Sequence, residues 1–217
     1  MPLFYQHTIN ETTKLGIWKI EEPEKFFAET VPVQRDISHP HKRLQHLAGR
    51  YLLQLLFPDF PYELIEIADT RKPFLTNEAY HFSISHCGDF AAAIVSRHNR
   101  VGVDIELVRP MIQKIRHKFL GQQEMMLLMA NTITSNSEES FPTSDLLTLC
   151  WSAKEAMFKW YGSGGVDFKN HMQLVDRIDY SRQDFIRSYY VFSKESRVSL
   201  TVSSKLFGEL VMSYVVS

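Results

Sequence analysis

Two short stretches restrict the fold of this chain more than any others. Val101-Gly102-Val103-Asp104-Ile105-Glu106 alternates with the two-residue period of a strand, so Asp104 and Glu106 face one side and Val103 and Ile105 the other. Trp151 to Lys159, WSAKEAMFK, has a helical pattern. At about 100° per residue, Trp151, Glu155 and Lys159 share one side of that helix. Leu146, Cys150, Ala153, Met157 and Trp160 fall roughly opposite, where a core belongs. If strand and helix meet, three carboxylates converge beside a lysine. Hard oxygen donors of this kind suit a divalent cation such as Mg²⁺, and the lysine suits phosphate. Without a cation, crowding Asp104 against Glu106 would raise the proton affinity of one of them. The bland alternative is a wet sheet face together with an i,i+4 surface pair of Glu155 and Lys159.

Composition narrows the classes open to such a site. A formal net charge of −1 over 217 residues gives no global basic field for nucleic acid. Cys87 and Cys150 are too few for a disulfide framework, and no CxxC pair offers zinc a site. The opening MPLFYQHTINETTKLG lacks the basic and apolar blocks of a secretory signal. No run approaches the ~18 apolar residues of a membrane-spanning helix. The expectation is a cytoplasmic protein in a reducing setting, with no membrane partner.

Taken in order, residues 3–8 and 14–20 read as strands joined at Asn10-Glu11, and residues 22–30 as a short helix. Ser38 is the expected N-cap of a helix from Pro40, with Leu44, Leu47, Ala48, Tyr51 and Leu55 on its apolar face. Arg43 and Arg50 lie near one stripe beside that face. They are either solvated or available to a ligand. Pro73 holds Lys72 extended, so Arg71-Lys72-Pro73 is a stiff basic turn, either wet or gripping phosphate.

Residues 81–86 and 90–96 read as a hairpin around Cys87-Gly88-Asp89, with Ser85 and His86 at a strand end. The Asp104/Glu106 strand is expected to pair with the strand before it and to stop at Pro110. Residues 112–119 and 122–130 read as helices broken at Gly121. The run from Met125 to Met129 suits either a core or an adaptable contact. Residues 131–144 read as a mobile loop. Thr143 or Ser144 is expected to cap the Glu155 helix, with Gly162, Gly164 and Gly165 ending it. Residues 188–193, 197–203 and 209–216 alternate as antiparallel strands.

VGVDIE followed by WSAKEAMFK resembles the signature pair of the 4′-phosphopantetheinyl transferases, in the larger single-chain, surfactin-synthetase-type group. RKP (Arg71 to Pro73), SISH (Ser83 to His86), KFLGQQE (Lys118 to Glu124) and HLAGRYLLQLL (His46 to Leu56) extend the resemblance, in the family's order, over about residues 43 to 160. The resemblance implies an α+β fold of two similar α/β halves, related by a pseudo-twofold, with antiparallel sheets and the cofactor cleft between them. The halves would be residues 1–100 and 101–217. It implies transfer of 4′-phosphopantetheine from coenzyme A to a serine of an apo acyl or peptidyl carrier protein, releasing adenosine 3′,5′-bisphosphate.

In that reading Asp104, Glu106 and Glu155 hold Mg²⁺, and Glu155, Lys159 and Asp104 are the catalytic set. Arg43, Arg50, Arg71, Lys72, Pro73, Ser85, His86, Asp104, Lys154 and Lys159 lie along coenzyme A, with His86 on the nucleotide 3′-phosphate. Lys154 points roughly 100° away from Glu155, toward the helix surface or a phosphate on another side. Trp151 either packs under the cofactor or fills the core. The base is Glu155 or a metal-bound water. The Met125–Met129 neighbourhood borders the carrier-protein site in the family, and a monomer is expected. A metal-dependent phosphohydrolase on the same acidic trio, or a non-catalytic carrier- or nucleotide-binding module, are the competing functions.

Overall fold

The computed structural model describes residues 3–32, 37–133, 143–181 and 184–217. The fold is α+β, and the chain divides into two compact units, residues 1–105 with residue 217, and residues 106–216.

The first unit is built on a sheet of order β1-β2-β6-β5, formed by β1 (Leu3–Asn10), β2 (Thr13–Lys19), β5 (His81–Cys87) and β6 (Phe90–Ser96). All its pairings are antiparallel. The Asn10 side chain accepts from the Thr12 N–H at 2.9 Å and closes the first turn. Ala91, Ala92 and Ala93 of β6 are fully buried. Ala91 and Ala93 share the face that packs on helix α2 (Pro40–Leu56), and their small side chains let it lie close over β2, β6 and β5. A short α1 (Glu24–Ala28) packs beside α2, and a hairpin of β3 (Ile65–Ile67) and β4 (Pro73–Leu75) completes the unit.

His39, not Ser38, caps α2: its Nδ1 accepts from the Lys42 N–H at 3.5 Å. Pro40 occupies the first turn and fixes the cap at the residue before it. The buried face is also broader than the expected stripe. It takes in Leu52, Leu53 and Leu56, while Leu55 stays exposed. Covering by α1 as well as by the sheet widens it.

Gly49 marks a close approach of α2 to the sheet, since a Cβ there would lie 2.5 Å from Ile84 Cγ2. Ile84 is β-branched and stiff at χ1, so it cannot swing aside cheaply. Gly49→Ala gains roughly 1 kcal/mol of helix propensity, but overpacking costs about 1–3 kcal/mol. The expected result is a lower denaturation midpoint in urea. A raised midpoint would show that the helix has slack over Ile84.

Strand β7 (Val101–Leu107) does not continue the β5–β6 hairpin as expected. Both edges of β6 are already taken, by β2 and β5. Arg100 instead exchanges backbone hydrogen bonds with Ser217, at 2.9 and 3.1 Å. β7 then runs into the second unit, where the sheet order is β7-β11-β10-β9-β8.

The second unit adds α3 (Ile112–Ile115), a 3-10 turn at Arg116–Lys118, α4 (Gln122–Ile133) and α5 (Ser144–Tyr161). Its other strands are β8 (Met172–Leu174), β9 (Ile186–Ser193), β10 (Arg197–Phe207) and β11 (Leu210–Val216). β8 with β9, β9 with β10 and β10 with β11 all pair antiparallel. β10 runs past the expected end at residue 203, because Ser204 turns inward and its hydroxyl pairs with that of Ser213 at 2.8 Å. Thr143 caps α5, and Gly162 ends it in the left-handed region, at φ 79°. The loop expected over residues 131–144 lies largely outside the described residues, although 131–133 belong to α4 and 144 to α5. Among the described residues no helix is long and apolar enough to cross a membrane.

Candidate active site

Each unit presents part of the expected constellation on a different element. Asp104 lies near the end of the first unit's share of β7 and is buried. Its Oδ1 accepts from Ser85 Oγ at 2.8 Å. That same hydroxyl accepts from the Ile105 N–H at 3.3 Å, and Ser83 Oγ accepts from the Val103 N–H at 3.2 Å. Two serines of β5 thus take the place that a neighbouring strand's carbonyls would fill along β7, and one of them fixes the Asp104 carboxylate. The SISH stretch therefore shapes the site partly through strand architecture. Sequence pattern ranked Ser85 only as a ligand contact.

Glu106, half-buried in the second unit, accepts from the Trp151 indole N–H at 3.0 Å through Oε1. Trp151, Glu155 and Lys159 of α5 are all half-buried, while Cys150, Ala153 and Met157 on the opposite face are fully enclosed. The helical spacing placed both faces of α5 correctly. Among the described residues, no three His, Cys, Asp or Glu side chains are gathered as a ready metal cluster. The donor set itself is chemically apt, since carboxylate oxygens braced by neighbouring hydrogen bonds are what a hard divalent cation takes.

Lys154 occupies neither expected place. It is fully buried and paired with Glu124 at 2.6 Å, and it donates to the carbonyls of Phe119 at 2.6 Å and Phe168 at 2.9 Å. Burial pulls its ammonium below the ordinary lysine range, and the Glu124 carboxylate opposes that most strongly. With three donors on three protein acceptors, Lys154 is an interior residue and is not available to a phosphate. Trp151 is flanked by the rings of Phe119 and Phe168, with centroids at 5.2 and 5.5 Å.

The basic contacts upstream divide. Arg43 forks onto Glu24 of α1, with Nε and the terminal nitrogen each at 2.8 Å, and also donates to the Ile37 carbonyl at 3.2 Å. Arg50 is buried, and burial lowers its pKa. Tyr62 donates to the Arg50 carbonyl at 2.5 Å. Arg71 is exposed and sits at φ 66°, where its N–H donates to the Ala68 carbonyl at 2.8 Å. The strained turn swings Lys72 into a half-buried position just before Pro73 opens β4. Burial, aided by the charge of Arg100, lowers the Lys72 pKa to about 8. His86 is exposed at the end of β5.

On the second unit, a cavity of about 770 Å³ opens between α4 and the segment around β8. Met126, Leu127, Lys169, Gln173 and Arg177 help to line it. Of the methionine-rich run, Leu128 is fully buried, whereas Met126 is 59% exposed.

Residues 100–215, more than half of the chain, match the ACPS family, described as the 4′-phosphopantetheinyl transferase superfamily. The chain belongs to this superfamily. Both strand β7 and helix α5 fall inside the match. Among curated proteins, enterobactin synthase component D of Escherichia coli (strain K12) is 34% identical over 124 residues, covering 54% of each chain. The 4′-phosphopantetheinyl transferase gsp of Aneurinibacillus migulanus is 30% identical over 120 residues, 54% of this chain and 47% of that one. The 4′-phosphopantetheinyl transferase AcpT of Salmonella typhimurium is 28% identical over 121 residues, 56% of this chain and 60% of that one. The chain spans about half the length of the curated relatives it matches.

Proposed function

We propose that this protein transfers 4′-phosphopantetheine from coenzyme A to a serine of an apo acyl or peptidyl carrier protein, as a cytoplasmic monomer of the larger single-chain, surfactin-synthetase-type group. The observation that carries this reading is the joint presence, inside one family match, of β7 with Asp104 and Glu106 and of α5 with Glu155 and Lys159. The carrier hydroxyl attacks the β-phosphorus of coenzyme A. The bond to the bridging oxygen breaks, and adenosine 3′,5′-bisphosphate leaves. Asp104, Glu106 and Glu155 would hold Mg²⁺, which when bound offsets the charge that separates along the pyrophosphate.

This chain's own residues have separable tasks. Glu155 takes the proton of the carrier hydroxyl or orients that group. Lys159, one turn further along α5, opposes phosphate charge. Arg71 and Lys72 grip phosphate at their turn, and His86 meets the 3′-phosphate. Met126 and the cations Lys169 and Arg177 at the α4 cavity offer an apolar, basic surface to an acidic carrier. Arg43 and Arg50 contribute through the fold of α2.

The low pKa of Lys72 gives this assignment a measurable sign. A phosphate ligand favours the protonated amine. Ligand affinity should therefore fall as pH rises through about 8. Phosphate monoesters are already doubly ionised above pH ~7, so the slope belongs to the protein. Lys72→Arg keeps its charge and should flatten the calorimetric affinity profile for coenzyme A. A slope that survives in the variant would remove Lys72 from the phosphate contact.

The deciding experiment is intact-mass spectrometry of an apo acyl carrier protein after incubation with this protein, coenzyme A and Mg²⁺, beside an EDTA control. The expected outcome is a phosphopantetheine-sized gain on the carrier that EDTA abolishes. Coenzyme A breakdown without carrier modification would favour the phosphohydrolase. Neither change on a broad carrier panel would leave a binding module.

A further inference from the structure

The interior lysine of α5 joins three segments that the transfer chemistry does not touch directly. Lys154 Nζ draws on Glu124 of α4 at 2.6 Å, on the Phe119 carbonyl just before α4, and on the Phe168 carbonyl after α5. Glu124 is equally engaged: Oε2 accepts from the Gly121 N–H at 2.8 Å and Oε1 from the Leu174 N–H at 3.0 Å. The two main-chain carbonyls that Lys154 holds belong to the two residues whose rings flank Trp151. The Trp151 N–H in turn holds Oε1 of Glu106. All of these residues lie within the second unit.

We propose that Glu124 and Lys154 are positioning residues, which fix Phe119 and Phe168 as the jaws of a clamp on Trp151 so that its indole N–H aims the Glu106 carboxylate. Phe168 sits in a tight loop, where Asp167 Oδ1 accepts from the N–H groups of Lys169 and Asn170. That loop is braced locally by Asp167 and tied to α5 twice, through the Phe168 ring, which also packs on Phe158 at 5.6 Å, and through the main-chain hydrogen bond to Lys154. Lysine suits the task because a compact ammonium can serve three acceptors arriving from three directions, whereas a planar guanidinium fork cannot. The value of aiming Glu106 rests on its proposed role as a metal ligand. The aiming itself does not.

The test uses the full chain, Mn²⁺ as the metal probe, and the Trp151 indole N–H proton resonance, assigned by its loss in Trp151→Phe. Trp151→Phe keeps the ring packing and removes the donor, so Mn²⁺ affinity should weaken about 10- to 100-fold with little change in unfolding temperature. Glu124→Gln with Lys154→Met removes both charges together and leaves no bare ion in the core. In that double variant the indole resonance should move toward the position of an unbonded indole, and Mn²⁺ affinity should fall comparably. A folded double variant with wild-type resonance and affinity would reduce the pair to a structural filler and overturn the proposal. Should it not fold, Phe168→Leu removes one jaw while keeping the carbonyl for Lys154, and an unmoved indole resonance there would be equally fatal. If the wild-type protein binds no Mn²⁺, the metal role of Glu106 fails, and the resonance alone decides whether the clamp exists.

Discussion

Glu155→Gln should lower carrier modification by about 10²- to 10⁴-fold, the range that a positioned acid–base group contributes, and should leave the unfolding midpoint where it is. The side chain projects from the half-buried side of α5, away from Cys150, Ala153 and Met157, which are fully enclosed. Glutamine has nearly the same shape and good helix propensity, so packing and helix are conserved. What disappears is one negative charge and one proton acceptor. Two measurements separate the roles left open by sequence. If Glu155 is chiefly a ligand, Mn²⁺ affinity falls together with the rate. If it is chiefly the base, affinity holds and the rate alone collapses. Near-normal turnover, or a marked fall in stability, would take Glu155 out of the site.

The side of α5 bearing Trp151, Glu155 and Lys159 and the apolar side opposite were legible from helical spacing, but the burial of Thr148, Ser152 and Lys154 was not. The β5–β6 hairpin was legible for a similar reason, since alternation on both sides of a glycine turn is a local signal. The neighbour of β7 was not. Its placement depends on β2 having already claimed an edge of β6, a non-local fact that no window of sequence contains. The inward serines were missed on the same account. Ser83 and Ser85 bond main-chain groups of β7, and Ser204 bonds Ser213, so polar residues that look like exposed positions are satisfied inside.

Lys154 was the largest surprise for a different reason. A cation beside the glutamate proposed for catalysis reads as a phosphate ligand or a surface charge, because an unpaired buried lysine is too costly to expect. Its partners are one carboxylate on a distant helix and two main-chain carbonyls, and carbonyls carry no sequence signature. The one available sign was Glu124 at the third residue of α4. There it caps the helix start through Gly121, with its other oxygen turned to Lys154.

That burial predicts a large effect on stability. Lys154→Met should cost about 3–5 kcal/mol, because removing one partner of a buried pair leaves the other charge uncompensated. The methionine stem fills most of the volume, so a cavity contributes little. The loss comes from the stranded Glu124 carboxylate and from the Phe119 and Phe168 carbonyls, which lose their donor. Adding Glu124→Gln should recover part of that cost: the amide carries no charge and its single oxygen still accepts from one of the two backbone N–H groups, of Gly121 or Leu174, although the other loses its acceptor. Denaturant unfolding of the two single variants and the double variant completes the cycle, and the pair predicts a strong positive coupling between the sites. Additive costs, with the double variant as unstable as the sum of the singles, would show that Lys154 and Glu124 act independently and that the bond at 2.6 Å does not organise this core.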